Sequence, residues 1–257
     1  MVPVTLFVSA YLATFWCVEF VSRVTGWRPV YLIALAAAAG ATAFCNAVID
    51  AGRWRIGFFV APHLAARELV LGLAFAIVLI GAGDVVIILM TNLRHAPGNG
   101  FPWRELVIVF IPAVVHEELV FRGYLYQKIR GVSRVLSIAV TSLAFAFLHT
   151  KNSGATPVAI ANIAVAGVLL ALAFETFQRL WFPIGIHLAW NVASGPLLGY
   201  PVSGYVPSQS VMRTIGSGPR VVTGGAFGIE ASVVMLIVES CAVVLLWRAA
   251  RMRAERT

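Results

Sequence analysis

The sequence predicts an all-α protein, a polytopic transmembrane helical bundle of about eight spans. Three observations carry that prediction. The 257 residues are 60% hydrophobic and 12% charged, whereas a soluble domain has about 25% charged residues. The apolar residues are gathered into runs close to the roughly 20 residues that cross a hydrocarbon core as a helix. Those runs are continuous and do not alternate, so they do not describe barrel strands. In lipid that leaves helices, which satisfy their own backbone groups.

The runs fall at 4–22, 29–49, 66–92, 104–127, 134–150, 157–177, 181–199 and 229–247. The first lacks a basic leader and a small-residue cleavage site, so it reads as a retained helix. The third is long, with an alternative break at Gly81-Ala82-Gly83-Asp84. An interfacial helix over 56–66 is a second alternative count. The fifth and seventh are short. Residues 200–228 are rich in Gly, Ser and Pro and read as an irregular loop that either caps a cavity or joins two helices. The organisation is then N-terminal helices (1–103), a helical core (104–199), a non-cytoplasmic loop (200–228), and a last helix with a basic tail (229–257).

Net charge is +8, from 19 basic and 11 acidic residues. The basic residues lie in short loops and the tail, with no aromatic-basic platform, so a nucleic-acid partner is not expected. They orient the chain instead. Arg53, Arg55, Lys128, Arg130, Arg134, Arg179, Arg248, Arg251, Arg253 and Arg256 gather on one side. Arg23, Arg28, Arg94, Arg104, Lys151, Arg213 and Arg220 gather on the other. The bias puts both termini in the cytoplasm, in a multi-pass protein of the plasma (inner) membrane. Trp27, Trp54, Trp103 and Trp181 fall near the boundaries as an aromatic belt. Cys17, Cys45 and Cys241 sit in spans without metal-ligand spacing and read as small apolar side chains.

The fourth run breaks the rule of the others. His116-Glu117-Glu118 and Arg122 sit inside it, and an ionisable side chain costs roughly 2.5–3.5 kcal/mol at a membrane helix centre on insertion scales. Glu118 and Arg122 are spaced i, i+4 and can pair. Glu117 points about 100° away and has no partner in its own helix. His149 ends the fifth run, and His187 and Asn191 share a face of the seventh. At about 1.5 Å per residue, Glu117, His149, His187 and Asn191 lie roughly 17, 22, 12 and 18 Å from the cytoplasmic boundary, one level of the bilayer. A structural polar cluster is the plain alternative. The zinc-protease pattern HExxH is absent, because Val120 occupies its second histidine position; His116 reads as a neighbour of the site. Among weaker candidates, Glu175 and Arg179 read as an i, i+4 surface pair. Asp84 and Glu239 read as isolated, and His63 and His95 as unpartnered in polar connections.

Glu117-Glu118-x-x-x-Arg122, Phe145-x-x-x-His149 and His187-x-x-x-Asn191, in that order on successive runs, resemble the CAAX-protease and bacteriocin-processing (CPBP, or Abi) family of intramembrane endopeptidases. The likeness extends to Phe121-Arg-Gly-Tyr-Leu and Trp181-Phe-Pro-Ile-Gly-Ile-His, and to Thr223-Gly-Gly-Ala-Phe-Gly-Ile-Glu230. It implies a four-helix catalytic core acting on a membrane-presented peptide or protein. It assigns Glu117 and His149 to water activation, His187 and Asn191 to the scissile carbonyl and its oxyanion, and Glu118 and Arg122 to support. It also leaves open a divalent metal such as zinc held by His149, His187 and Glu117. Two other functions stay in view: a transporter or proton relay using the same carboxylates, and a non-catalytic immunity or scaffold protein.

Overall fold

The computed structural model describes residues 2–25, 30–51 and 57–254. Trp27, Arg28, Arg53, Trp54, Arg55 and Arg256, and the side chain of Arg253, lie outside what is described. Helices α1 (Val2–Thr25) and α2 (Val30–Val48) pack against each other. Buried Ala34, Ala37, Ala38 and Ala41 give α2 a thin face. Small residues of this kind let helix backbones approach where lipid supplies no hydrophobic drive.

Helix α3 (Pro62–Met90) begins on a proline, which costs nothing where the first N–H groups have no acceptor. It runs through Gly81–Asp84 unbroken, so the alternative break is not taken. Gly83 admits the side chain of Met235. Asp84 is not isolated: it accepts from the Tyr200 hydroxyl at 2.7 Å and lies 2.9 Å from His95 Nε2. His95 therefore has a partner, while His63 is exposed in the first turn of α3. His95 belongs to β1 (Arg94–Pro97), antiparallel to β2 (Met212–Ile215), with His95 opposite Thr214. Both strands are only four residues long, Arg-His-Ala-Pro and Met-Arg-Thr-Ile. They lack the alternation that marks a strand, and so the loop reading of 200–228 missed β2.

Helix α4 starts at Trp103 and ends at Arg130. Two stretches of it, Leu106–Phe110 and Leu119–Leu125, widen to π-helix around the α-helical Ile111–Glu118. Pro112 accounts for the first, since it has no N–H for the turn before it. Helix α5 (Arg134–Leu148) is capped by Ser133, whose hydroxyl accepts from Leu136 N–H at 3.2 Å. Helix α6 (Pro157–Phe177) is capped in the same way by Thr156 and stops at Gln178, which is left-handed at φ 56°. Helix α7 (Trp181–Val192) continues into a π turn, Ala193–Leu197, that holds Pro196. A short helix α8 (Arg220–Thr223) precedes α9 (Val233–Ala254).

The polar ends of the bundle are tied by ion pairs. Asp50 pairs with Lys128, Glu68 with Arg179, and Glu175 with Arg130 and Arg134. Glu175 and Arg179 therefore do not form the expected i, i+4 pair. The left-handed turn at Gln178 ends the helix between them, and each finds a partner on another segment. These pairs join the end of α2 to the end of α4, the start of α3 to the turn before α7, and the end of α6 to the end of α4 and the start of α5. The β-sheet sits beyond the other end of α3. Leu12, Trp16, Phe20, Val78, Leu89, Leu143, Phe147 and Ile237 are exposed, an apolar exterior suited to lipid. Five helices among the described residues, α1, α2, α3, α6 and α9, are long and apolar enough to cross a membrane. The protein is a multi-pass integral membrane protein.

Helices α3 and α7 cross at two glycines. A Cβ on Gly185 would stand 2.4 Å from the Leu69 carbonyl oxygen, and one on Gly72 would stand 2.4 Å from that of Phe182. Backbone cannot yield as a side-chain tip can. Gly185→Val is expected to destabilise the protein by about 1–3 kcal/mol or more through overpacking. It should also displace His187 and Asn191 on the same helix. Thermal melting in detergent checks the first effect, and peptide cleavage checks the second.

Candidate active site

Successive residues of an α-helix point about 100° apart, and this separates the two adjacent glutamates. Glu117 faces a cavity of about 330 Å³, which Phe145, His149, His187 and Asn191 also line. Glu118 is fully buried behind it. The expected residues thus come together from three segments: Glu117 from α4, His149 from the 3-10 turn His149–Lys151 that ends α5, and His187 and Asn191 from one face of α7.

Glu118 does more than pair within its helix. Its Oε1 accepts from Arg122 Nη1 at 3.0 Å and from His187 Nδ1 at 2.9 Å. Arg122 is equally sealed; its Nη2 donates to the Gly167 carbonyl at 3.3 Å, and its guanidinium lies 4.7 Å from the centre of the Phe145 ring. The expected Glu118–Arg122 pair forms, and Glu118 reaches beyond it to His187. One buried carboxylate links α4 to α7, and its arginine links α4 to α5 and α6.

Those bonds fix the imidazoles. His149 Nδ1 lies 2.8 Å from the Phe145 carbonyl oxygen. A carbonyl only accepts, so Nδ1 carries the proton and Nε2 is the free nitrogen. His187 Nδ1 is committed to Glu118. Its Nε2 lies 3.6 Å from Glu117 Oε2, an ion-pair separation longer than a hydrogen bond. His116 faces the other way: its Nε2 is 2.8 Å from the Tyr11 hydroxyl, and the two rings stack at 5.7 Å.

The cavity has a roof that motif reasoning did not reach. Val202 and Tyr205 close a tight turn whose Ser203 is left-handed at φ 47°. Ser203 donates to Glu230 Oε2 from its backbone N–H at 2.5 Å and from its hydroxyl at 2.7 Å, and its carbonyl accepts from Asn152 at 3.0 Å. Gly204 lies so close to Ser153 that a Cβ would stand 2.2 Å from the Ser153 carbonyl oxygen. The loop 200–228 is therefore a cap, held down by Glu230. Burial raises the Glu230 carboxyl above the ordinary carboxylate range, opposed by the Ser203 hydrogen bonds and by His149 and His187. Tyr31 and Glu239 also line the cavity. The signal available in the sequence was an acid at the end of the glycine-rich Thr223–Ile229 stretch. Its distance along the chain from the other motifs hid its place beside them.

Residues 99–193 match the family described as Type II CAAX prenyl endopeptidase, Rce1-like. Over that span the chain is similar to the domain of Rce1-like CAAX endopeptidases. The family is one of proteases, and the domain carries Glu117, Glu118, Arg122, His149, His187 and Asn191. It ends in the π turn after α7, so the roof and Glu239 lie outside the matched residues. Neither the curated proteins nor the solved structures compared with the chain give a match. As for zinc, among the described residues no group of three or more His, Cys, Asp or Glu side chains is gathered closely enough to hold a metal ion.

Proposed function

We propose that the chain is an intramembrane endopeptidase that hydrolyses a peptide bond in a membrane-presented peptide or protein. The observation that carries this reading is the convergence of Glu117, His149, His187 and Asn191 on one cavity. In the reaction, Glu117 takes a proton from a water held between it and His149 Nε2. The water oxygen attacks the scissile carbonyl, whose oxygen becomes an oxyanion. Asn191 Nδ2 and an Nε2–H of imidazolium His187 donate to that oxyanion. Collapse breaks the C–N bond, and the proton held by Glu117 passes to the leaving amine. Glu118 holds His187 in register, and Arg122 balances the Glu118 charge. Donors fixed at the place where negative charge develops are worth most where water is excluded.

The wider topology belongs to the same proposal. The alternation of helix ends supports eight crossings, with α4 and α7 packed among the longer helices and α5 presenting Leu143 and Phe147 outward to lipid. Both termini then share the side of Lys128, Arg130 and Arg134, the cytoplasmic face under the positive-inside rule. The 99–193 domain, the roof and α9 act as one hydrolytic unit.

The test is cleavage of membrane-presented peptides by the purified protein in lipid nanodiscs. Asn191→Ala is expected to lower kcat by about 10²–10³, the usual cost of one oxyanion donor. Solute or proton flux in liposomes, without peptide cleavage, would favour the transporter reading instead.

A further inference from the structure

Buried carboxylates in this protein have cations. Glu118 has Arg122, Glu68 has Arg179, Asp50 has Lys128, Glu175 has Arg130 and Arg134, and Asp84 has His95. Glu230 and Glu239 depart from that pattern among the described residues. Glu239 is 1% exposed in the wall of the cavity, and its Oε2 is sealed from solvent without a hydrogen-bond partner. Glu230, 4% exposed, receives only the neutral donors of Ser203 on Oε2. Both line the same cavity as Glu117. Arg122 is already committed to Glu118. Three carboxylates thus surround a space whose lining holds no lysine or arginine, only the imidazoles of His149 and His187, which act on Glu117 and Glu230 and leave Glu239 without a cation.

An unpaired buried carboxylate is costly; it is relieved either by taking up a proton or by a cation that reaches it, and a cation arriving with substrate displaces that proton. The rest of the lining indicates what kind of cation. Leu169, Leu170, Ile186 and Trp190 form an apolar wall of the same cavity, which suits the methylene stem of a long basic side chain. A bare metal ion would instead need ligands gathered around it, and such a group is absent among the described residues.

We propose that Glu230 and Glu239 form an acidic subsite that takes a lysine or arginine side chain of the substrate beside the scissile bond. This deepens the peptidase reading of the same cavity and rests on it. The stem lies along the apolar wall, and the charged head lies between the two carboxylates. Glu230 then has two tasks: its Oε2 holds the roof through Ser203, and its remaining oxygen meets the substrate. Glu239 has only the second, which makes it the cleaner position to alter. The subsite uses residues beyond the matched domain, so it would set this chain's own substrate preference.

The experiment uses the full-length protein in nanodiscs and dansylated leucine-alanine peptides. A single lysine is walked along the peptide, and each lysine peptide is matched with a norleucine twin. Binding is measured by fluorescence and cleavage by mass spectrometry. At one position the wild type should prefer lysine, and Glu239→Gln should lower the lysine-to-norleucine ratio by roughly ten- to hundredfold, as for a lost charged hydrogen bond. Because both peptides meet the same preparation, partial misfolding cancels in the ratio. N-acetylated peptides separate a side-chain subsite from one that reads a free amino terminus; loss of the preference on acetylation would overturn the side-chain assignment. Equal binding of lysine and norleucine peptides at every position, or a ratio unchanged in Glu239→Gln, would overturn the subsite. A lysine preference in binding without cleavage would leave the subsite standing and remove the peptidase reading.

Discussion

Glu117→Gln is expected to lower peptide cleavage by about 10²–10⁴, the range that a positioned general base contributes. The substitution preserves size and hydrogen bonding at a half-buried position, and it removes the basicity. Glu117 makes no direct hydrogen bond to Arg122, and its separation from His187 Nε2 is 3.6 Å. The melting temperature should therefore move little while turnover collapses. His149→Ala should act in the same direction, because it removes the free Nε2 across the cavity. The pair of variants should be far from additive, since both groups handle one water. Progress curves for the two single variants and the double variant, with melting on each preparation, check this. Full turnover in Glu117→Gln would sink the assignment.

The parts of this site that were legible in the sequence share one property: each is a polar residue where helical periodicity and lipid forbid one without a reason. Glu117, Glu118 and Arg122 are visible because their neighbours are Val, Leu and Phe. His187 and Asn191 are visible because an i, i+4 spacing puts them on one face. Depth counted from the basic loops brings His149 to the same level. What stayed hidden depends on three-dimensional closure. The i, i+4 rule pairs Glu118 with Arg122 but cannot show that Glu118 also holds His187, 69 residues away. The β1–β2 pair joins segments more than a hundred residues apart beyond the helix ends, where no alternation of apolar side chains marks a strand. The roof is held by a serine that looks unremarkable in a Gly-, Ser- and Pro-rich loop and by Glu230, which the family likeness reached but which nothing in the sequence placed beside the cavity. The Glu175–Arg179 spacing misled for the opposite reason, since helix periodicity was carried past a residue where the helix stops.

The buried bridge among Arg122, Glu118 and His187 should respond to mutation as a unit, and the direction depends on which member is changed. Arg122→Ala leaves the buried Glu118 without its guanidinium, held by His187 alone and with one oxygen already unpartnered. Breaking a buried pair from one side costs about 3–5 kcal/mol, and here the lost stacking on Phe145 adds to it. The variant is expected to melt far below the wild type or to fail to accumulate. Glu118→Gln is milder for the fold, because the amide still fills the space and its oxygen still accepts from Arg122. It is harsher for orientation, because the Nδ1–H of His187 loses a charged acceptor and the arginine is left unbalanced. Turnover should fall with little change in KM, as expected when a group that holds an oxyanion donor is disturbed. The double variant Glu118→Gln/Arg122→Met separates the two roles. Removing both charges and refilling the volume should recover much of the stability lost in Arg122→Ala, since a well-packed apolar replacement of a buried ion pair is often neutral. It should not recover turnover, since His187 is still without its carboxylate. Melting curves and cleavage rates on the same nanodisc preparations decide the matter. A double variant as active as the wild type would mean that the bridge only fills space; one that is stable and inactive would place its function in holding His187 toward the cavity.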